Sequence, residues 1–437
     1  MSKPIVAIVG RQNVGKSTLL NRLAGKPIAI TDDLPGTTRD RILASVTVPG
    51  NEFTIVDTGG LEVRPDSAMA QEINEQVEVA ITEADVIIFL VDVRDGVMPA
   101  DLGIADRLRQ VSKPIVLVAN KADNTKYEAG AVEFYELGLG EPLAISAYHG
   151  RGITELLDRV TSLLPVPSLA EAEPEAIKVA IVGRQNVGKS TLLNAILGGE
   201  RAIVDDIPGT TRDAIDTLLD FNGESVLLID TAGIRRRGRL RGGVERYSVI
   251  RALRAIDRAD IALLVLDAAE LVTAQDVHVA GYILGAAKGI VLIVNKWDLV
   301  EAGSTTECSR YLRSCFKFVA YAPVLYTSAK LGRGVDKVMP QVHEIYQERL
   351  KRLPTAAVNS VIQQAVAAHG LPRRGGRQLK ILYATQAEVN PPTFVFFVND
   401  PRLMHFSYQR YLENKLRQSF GFAGTPVRFV FKTRGEQ

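Results

Sequence analysis

Short, mostly apolar runs recur along the first 350 residues, with helical patterns between them. The runs lie at 4–9, 86–91, 115–119, 177–182, 261–266 and 290–294. They lack the alternation of a half-buried strand, so they predict strands that are buried on both faces of a parallel sheet. The helical patterns of the first half lie at 16–24, 68–83 and 153–163. Alternating strands and helices predict a doubly wound α/β fold, in which ligands bind at the carboxyl ends of the strands.

The last part of the chain has a different pattern. One helix is predicted over 356–368, with Thr355 as its cap, and a second over 402–420. Strands are predicted at 378–385, 393–399 and 426–432. Two helices and three strands predict a small α+β module.

The chain contains a long internal repeat. The run Gly10–Ser17 reappears as Gly183–Ser190, and Pro35–Asp40 reappears as Pro208–Asp213, each shifted by 173 positions. This period is far too long for a solenoid and indicates a duplicated domain. The predicted division is a first α/β domain, a linker with three prolines, a second α/β domain and a C-terminal domain, at 1–164, 165–176, 177–349 and 350–437.

Both copies contain the motif G-x-x-x-x-G-K-S between a predicted strand and a predicted helix. In this context the glycines let successive backbone N–H groups surround a phosphate at the start of the helix. Each lysine is predicted to reach the β- and γ-phosphates, and each serine to bind Mg²⁺. The two predicted phosphate loops consist of Gly10, Arg11, Gln12, Asn13, Val14, Gly15, Lys16 and Ser17, and of Gly183, Arg184, Gln185, Asn186, Val187, Gly188, Lys189 and Ser190.

A second motif, Asp-x-x-Gly, follows in each copy. Its aspartate is predicted to hold Mg²⁺ through a water on the γ-phosphate side, and the backbone N–H of its glycine is predicted to sense that phosphate. The motif and the aliphatic residue after it consist of Asp57, Thr58, Gly59, Gly60 and Leu61, and of Asp230, Thr231, Ala232, Gly233 and Ile234.

The repeated run Pro-Gly-Thr-Thr-Arg-Asp supplies a further magnesium ligand. One threonine of each run is expected to bind the ion when GTP is present, and we favour Thr38 and Thr211. Local hydrogen bonding within a turn is the alternative for these threonines. The candidate catalytic residues are Lys16, Thr38, Asp57, Lys189, Thr211 and Asp230.

A third motif, Asn-Lys-x-Asp, follows a predicted buried strand in each copy. Its carboxylate can accept hydrogen bonds from N1–H and the N2 amine of guanine, whereas adenine has neither donor. The motif therefore predicts GTP rather than ATP as the ligand. A downstream Ser-Ala pair is predicted to close over the base through a backbone N–H. These residues are Asn120, Lys121, Asp123, Ser146 and Ala147, and Asn295, Lys296, Asp298, Ser328 and Ala329.

Leu61 and Ile234 stand where many small GTPases carry a glutamine that orients the attacking water. Neither aliphatic side chain can do so. Each site is therefore expected to hydrolyse GTP slowly or to need an additional catalytic group. The chain resembles the EngA (Der) family of tandem-GTPase ribosome assembly factors. The features that carry this resemblance are the aliphatic replacement, both G-R-Q-N-V-G-K-S-T-L-L-N runs, both P-G-T-T-R-D runs and the C-terminal segment that follows the two α/β domains. The resemblance covers essentially the whole chain.

This resemblance implies a KH-like C-terminal domain, a large ribosomal subunit and its rRNA as partners, and GTP and GDP as ligands. It also implies hydrolysis stimulated by K⁺, with Asn13 and Asn186 as potassium ligands beside the magnesium site. The alternative is that each asparagine only shapes its loop. We expect a cytoplasmic protein, because no signal peptide and no membrane-spanning apolar run is recognisable. We also expect a monomer.

Charge is divided unevenly along the chain. Residues 350–437 contain 13 Lys plus Arg and 4 Asp plus Glu, a net charge of +9, whereas the preceding residues carry −7. A basic C-terminal module indicates an anionic partner, most simply RNA, although a solvated basic face is the alternative. Five arginines in the stretch Arg235–Arg241 give a second candidate RNA contact, which competes with a solvated loop or an intramolecular one.

Two other features carry less weight. The sequence G-x-x-G occurs at 421–424, but it lies between a helix and the last strand, whereas RNA-clamping KH loops join two helices, so we do not assign it that role. Cys308 and Cys315 form no metal or redox pattern and are expected to be reduced thiols on one helix. The competing functions are a tRNA-modifying GTPase and a nucleotide-gated scaffold without turnover; an ATP-driven motor is disfavoured by both Asn-Lys-x-Asp motifs.

Overall fold

The computed structural model describes most of the chain. The described residues are 3–24, 43–57, 84–165, 176–198, 204–208, 215–229, 247–270, 272–300, 305–374 and 377–433. They form two compact units, which are taken in turn.

The first unit is an α/β domain built on a sheet that has six strands among the described residues. Its elements are β1 (Ile5–Val9), α1 (Lys16–Leu23), β2 (Leu43–Val48), β3 (Asn51–Asp57), β4 (Val86–Asp92), α2 (Pro99–Leu108), β5 (Ile115–Asn120), α3 (Thr125–Gly130), a 3₁₀ helix (Ala131–Leu137), β6 (Leu143–Ala144) and α4 (Ile153–Leu163). The strand order is β2-β3-β1-β4-β5-β6, and all neighbours are parallel except the hairpin β2–β3.

The hydrophobic core of this domain lies on both faces of the sheet. Along β1, Val6 and Ile8 face α1 and α4, whereas Ala7 and Val9 face α2 and the 3₁₀ helix. Every residue of β4 is buried. The continuous apolar runs of the sequence therefore reflect strands covered on both sides, which is the reason for their lack of alternation.

The second unit begins with an α/β domain of the same kind. Its elements are β7 (Ile177–Val182), α5 (Lys189–Leu197), β8 (Val204–Pro208), β9 (Ile215–Phe221), β10 (Glu224–Ile229), α6 (Tyr247–Arg258), β11 (Ile261–Asp267), α7 (Ala274–Gly285), β12 (Gly289–Asn295), α8 (Thr305–Cys315), β13 (Val324–Tyr326) and α9 (Val338–Leu350), with 3₁₀ helices at Trp297–Leu299, Lys317–Val319 and Val335–Lys337. The described strands order as β13-β12-β11-β7-β10-β9-β8, with β8 and β9 antiparallel to their neighbours.

The C-terminal domain belongs to the second unit and is α+β. It contains α10 (Thr355–Ala368), β14 (Arg373–Arg374), β15 (Arg377–Gln378), β16 (Ile381–Val389), β17 (Pro392–Val398), a 3₁₀ helix (Pro401–Leu403), α11 (Phe406–Phe420) and β18 (Arg428–Thr433). The three long strands form a sheet in the order β16-β17-β18, and β14 pairs with β15 in a small hairpin. Phe394, Phe396 and Phe422 fill its core together with both helices.

Most predicted elements are confirmed, with shifted ends. The six apolar runs are β1, β4, β5, β7, β11 and β12, and the helix predicted over 153–163 is α4. The pattern at 68–83 lies outside the described residues. The prediction that Thr355 caps α10 is wrong, because Pro354 is the cap residue and Thr355 is the first helical residue. The helix predicted from residue 402 begins at Phe406, because a separate 3₁₀ turn, Pro401–Leu403, precedes it and is capped at its start by Asp400.

Cys308 and Cys315 are free thiols and both lie on α8, as expected. Within the described part of the chain, no helix combines the length and apolar character that crossing a bilayer requires.

Candidate nucleotide sites

Each phosphate loop connects the central strand of its sheet to the first helix. Gly15 ends the first loop with φ at 98°, and Gly188 ends the second with φ at 95°. A Cβ atom at Gly15 would run into the side-chain amide of Asn120, and one at Gly188 into that of Asn295. Glycine is therefore required at this position both by the left-handed backbone and by the close approach of the Asn-Lys-x-Asp loop.

The lysine of each loop lies across the loop itself. Lys16 Nζ donates to the carbonyl oxygens of Gly10 and Arg11, each at 2.8 Å. Lys189 Nζ likewise donates to Gly183, at 2.7 Å, and to Arg184. These contacts hold each ammonium group at the loop whose N–H groups are predicted to bind phosphate.

Asn13 and Asn186 occupy the same backbone conformation in the two loops. Their φ angles are 63° and 61°, and both residues are exposed. Asparagine is among the few residues other than glycine that adopt the left-handed region readily. Loop shape is thus one sufficient reason for asparagine here, independent of any ion.

Two of the predicted magnesium ligands of the first domain, Ser17 and Asp57, lie in contact. Ser17 Oγ donates to Asp57 Oδ2 at 2.7 Å, and Asp57 is buried at the end of β3. A hydroxyl and a carboxylate oxygen at a phosphate loop fit Mg²⁺, which takes few protein ligands and completes its shell with phosphate and water. Ser190 occupies the corresponding place at the start of α5.

The asparagine of each Asn-Lys-x-Asp motif joins three segments. Asn120 Nδ2 donates to Val14 O at 2.8 Å, and Asn120 Oδ1 accepts from Ala147 N–H at 3.0 Å. Asn295 makes the same two contacts with Val187 and Ala329, at 2.9 and 3.0 Å. The side chain therefore ties the phosphate loop to the Ser-Ala loop. The backbone N–H of each alanine is therefore bonded to this asparagine.

The aspartates that are predicted to recognise guanine accept hydrogen bonds from the Ser-Ala loops. Ser146 Oγ donates to Asp123 at 2.6 Å, and Ser328 Oγ donates to Asp298. These hydrogen bonds are the leading reason why the pKa of both carboxyl groups lies below its usual value. Both side chains are therefore anions at neutral pH, the form that accepts hydrogen bonds from guanine.

The two base sites differ in the cationic partners of that aspartate, of which Arg94 is one. In the first domain Arg94 pairs with Asp123 and also lies 5.5 Å from the ring centre of Tyr127. The corresponding residue of the second domain is Ala269, two positions after Asp267 as Arg94 is two after Asp92. The sequence motifs gave no reason to select Arg94.

The sequence motifs also did not identify the aspartates that pair with the lysine of each Asn-Lys-x-Asp motif and with the arginine of each phosphate loop. Lys121 pairs with Asp92 at the end of β4, and Lys296 pairs with Asp267 at the end of β11. Asp101 and Asp276 contact the phosphate-loop arginines. The signal was present, because these aspartates recur with the 175-residue shift of the Asn-Lys-x-Asp motif.

Several predicted site residues lie outside the described residues. They are Thr37, Thr38, Thr58, Gly59, Gly60, Leu61, Thr211, Asp230, Thr231, Ala232, Gly233, Ile234 and the stretch 235–241.

The G-x-x-G turn of the C-terminal domain packs on the second α/β domain. Gly424 N–H donates to Tyr321 O at 2.9 Å, and Gly424 O accepts from Ile290 N–H at 2.8 Å. Phe422 N–H donates to Glu348, and Phe422 O accepts from Arg417. Because these backbone groups are bonded within the protein, the turn does not present them to a nucleic acid backbone.

Two α/β domains with paired phosphate and guanine motifs, followed by an α+β domain, define a tandem P-loop GTPase. The family described as 50S ribosome-binding GTPase matches residues 5–121 and 178–296, and the KH-domain-like C-terminal family of EngA bacterial GTPase enzymes matches residues 352–432. The chain is 50% identical to GTPase Der of Chloroflexus aggregans over 99% of both chains. It is 51% identical to GTPase Der of Caldanaerobacter subterraneus over the full length of both. The chain belongs to the Der (EngA) family of GTPases.

The protein is accordingly an enzyme that binds and hydrolyses GTP, and Mg²⁺ is the cofactor of this class. Among solved structures, Era of Aquifex aeolicus bound to GDP and AlF₄⁻ is similar at 24% identity, over 58% of this chain and 87% of that one, with a TM-score of 0.31.

Proposed function

We propose that this GTPase acts in the biogenesis of the large ribosomal subunit, where its nucleotide state controls association with pre-ribosomal particles. The matching GTPase family is described as 50S ribosome-binding, which supports this proposal. The further support comes from this chain itself: a basic domain is docked on a domain that binds guanine nucleotide. We also propose that it acts as a cytoplasmic monomer.

The C-terminal domain supplies the charge for an RNA partner. Its net charge is +9. The paired strands β14 and β15 carry three arginines, because Arg374 lies opposite Arg377 and Arg373 lies in the next pair, opposite Gln378. Cations clustered on a small domain release counterions when they meet phosphates, which gives affinity without base reading. Most of the aromatic side chains are buried in the core, as Phe394 and Phe396 are, or are partly buried against it. We therefore propose contacts to the RNA backbone, and a second contact through the stretch Arg235–Arg241.

The docking of this domain is the observation that carries the proposal. Strand β12 contacts Gly424 through Ile290 at one end and carries Asn295 at the other. Helix α9 follows Ser328 and brings Arg349 into the same interface. The basic domain thus packs on the strand that ends at Asn295 and on helix α9, so the proposed RNA-binding domain and the predicted guanine site share strand β12.

In the proposed mechanism, water attacks the γ-phosphate without a protein nucleophile. Lys16, Lys189, the magnesium ligands and the backbone N–H groups of each phosphate loop supply charge for the transition state. Asp123 and Asp298 accept hydrogen bonds from guanine, and the backbone N–H groups of Gly60 and Gly233 sense the γ-phosphate, as their motifs predict. We propose that K⁺ adds charge beside Asn13 and Asn186, as the resemblance to the EngA family implies.

The test is sedimentation of the full chain with purified ribosomal subunits, in the presence of either a non-hydrolysable GTP analogue or GDP. We expect cosedimentation with the large subunit in one nucleotide state and its loss in the other. Association only with the small subunit, or none in any state, contradicts the proposal. A variant in which Arg373, Arg374 and Arg377 are replaced by Gln should bind more weakly and show a shallower dependence on salt.

A further inference from the structure

The arginine that follows the first glycine of each phosphate loop contacts a helix, the one that comes after the neighbouring strand in the chain. Arg11 Nη2 lies 2.6 Å from Asp95 Oδ2, and Arg11 Nε lies 3.5 Å from Asp101 Oδ2. Asp101 is the third residue of α2, which follows β4. The loop is therefore tied through Arg11 to an element that contributes no residue to the predicted nucleotide motifs.

The second domain repeats this arrangement with other outer residues. Arg184 Nη1 lies 3.0 Å from Glu270 Oε2, and Arg184 Nε lies 3.0 and 3.3 Å from the two oxygens of Asp276. Asp276 is the third residue of α7. The exposed partner has changed from Asp95 to Glu270, whereas the helical aspartate is the same in both copies.

Asp101 and Asp276 are completely buried, with 0% of each residue exposed. Each accepts a hydrogen bond from the backbone N–H of the residue that caps its helix, at 3.2 Å from Met98 and 3.0 Å from Thr273. Burial raises the pKa of both carboxyl groups. A helix cap alone does not need a buried carboxylate, because capping residues work at the surface, so the burial calls for a second role.

The arginine connects this aspartate to the catalytic lysine. Lys16 Nζ donates to the carbonyl oxygen of Arg11, the residue whose side chain Asp101 holds. Lys189 donates to the carbonyl oxygen of Arg184 in the same way. Each arginine therefore contacts the buried aspartate with its side chain and supports the lysine with its backbone carbonyl.

We infer that Asp101 and Asp276 are positioning residues for GTP binding and hydrolysis, each of which holds its phosphate loop in place through the arginine at the loop's second position. The inference rests on the phosphate sites assigned above. Because the aspartate acts on the loop and not on the base, its effect grows with the number of phosphates on the nucleotide.

The test is calorimetric binding of GMP, GDP and a non-hydrolysable GTP analogue to the full chain with its second guanine site disabled by Asp298→Asn. In that background, Asp101→Asn is expected to weaken binding of the GTP analogue about tenfold and that of GMP less than twofold, on the scale of one charge-assisted contact. Asp106→Asn, on the exposed face of the same helix, is the matched control and should change neither. The reciprocal experiment uses Asp276→Asn with Asp123→Asn.

A double-mutant cycle separates positioning from helix capping. If Asp101 acts through Arg11, then Asp101→Asn and Arg11→Met together weaken binding no more than either alone. Additive losses, equal losses for GMP and the GTP analogue, or unchanged binding with Asp101→Asn overturn the inference. Absence of any guanine nucleotide binding in the Asp298→Asn background contradicts instead the assignment of the first site.

Discussion

Arg349, at the end of α9, donates a hydrogen bond from Nη2 to Asn390 Oδ1 of the C-terminal domain at 2.6 Å. Its Nη1 donates to Ala287 O at 3.1 Å and to Thr425 Oγ1 at 3.2 Å. Only 2% of the residue is exposed, and burial lowers the pKa of the guanidinium to about 10, so the side chain is still a cation at neutral pH. A buried cation bonded to neutral acceptors across two domains makes their junction specific, because no apolar side chain could serve these acceptors.

Replacing this side chain should loosen the junction. In Arg349→Ala, the buried oxygens of Ala287 and Thr425 lose their donor, at about 1–3 kcal/mol each, whereas water can replace the donor at the exposed Asn390. Relief from burying a cation offsets part of this loss, and we expect a net destabilisation of about 2 kcal/mol. Denaturant unfolding measures the stability, and hydrogen exchange of the Gly424 and Ile290 amides measures the junction itself.

Arg352 provides the control for that experiment. It is exposed and makes a weaker contact, 3.3 Å from Nη1 to Ala387 O. Arg352→Ala should change stability by less than about 0.5 kcal/mol, as surface substitutions usually do. Equal amide exchange in Arg349→Ala and the unaltered protein would show that the junction does not depend on Arg349.

Glycine substitutions separate the two explanations for the phosphate-loop asparagines. Gly retains the left-handed backbone of Asn13 and Asn186, with φ at 63° and 61°, but removes the amide oxygen. If the oxygen binds potassium, the Asn13→Gly, Asn186→Gly variant should keep its GTP affinity and lose most of the stimulation of turnover by K⁺ over Na⁺. Steady-state GTP hydrolysis in the two salts measures this. Full stimulation in the variant would mean that the asparagines only shape the loop.

The single tryptophan of the chain should report occupancy of the second site. Trp297 lies between Lys296 and Asp298, and its ring centre is 4.4 Å from that of Tyr326. Guanine bound at Asp298 changes the surroundings of this ring, so its fluorescence should follow GDP addition. Asp298→Asn replaces one carboxylate oxygen by an amide NH₂ that faces a donor of guanine, and it should weaken GDP binding at this site about 10²- to 10⁴-fold.

Asp123→Asn is the control for the fluorescence titration. It alters the other guanine site and should leave the Trp297 response and its midpoint unchanged. A response that disappears in Asp123→Asn but persists in Asp298→Asn would reverse the assignment of the reporter.

Guanine preference should be insensitive to mild acid. The hydrogen bonds from Ser146 and Ser328 lower the pKa of Asp123 and Asp298 below the usual 3.8, so both carboxylates stay ionised as the pH falls towards that value. Recognition is lost only when they protonate, at still lower pH. The ratio of GDP to ADP affinity should therefore be constant between about pH 8 and about pH 5, as measured by calorimetry. A loss of preference centred near pH 6 contradicts this assignment.

Much of this architecture could be predicted from sequence because it is encoded locally. The strands β1, β4 and β5 are short apolar runs, and the phosphate loops, Asp57 and the Asn-Lys-x-Asp motifs follow strands directly. The carboxyl ends of parallel strands meet at one edge, so local order along the chain already predicts a shared site. The placement of Ser17 against Asp57 agrees with that prediction. The domain boundaries near residues 164, 177 and 349 stay predictions.

The sequence by itself determined the fold class, the duplication and the guanine chemistry, since each depends on residues close together in the chain. Only the tertiary structure decided that Asp101 holds Arg11 and that Arg349 reaches Asn390. It also decided that the backbone groups of the G-x-x-G turn form hydrogen bonds with Tyr321 and Ile290 and are therefore not presented to RNA. These contacts join segments tens of residues apart, and a side chain's partner at that distance is set by how the sheets and helices pack, which no local pattern records.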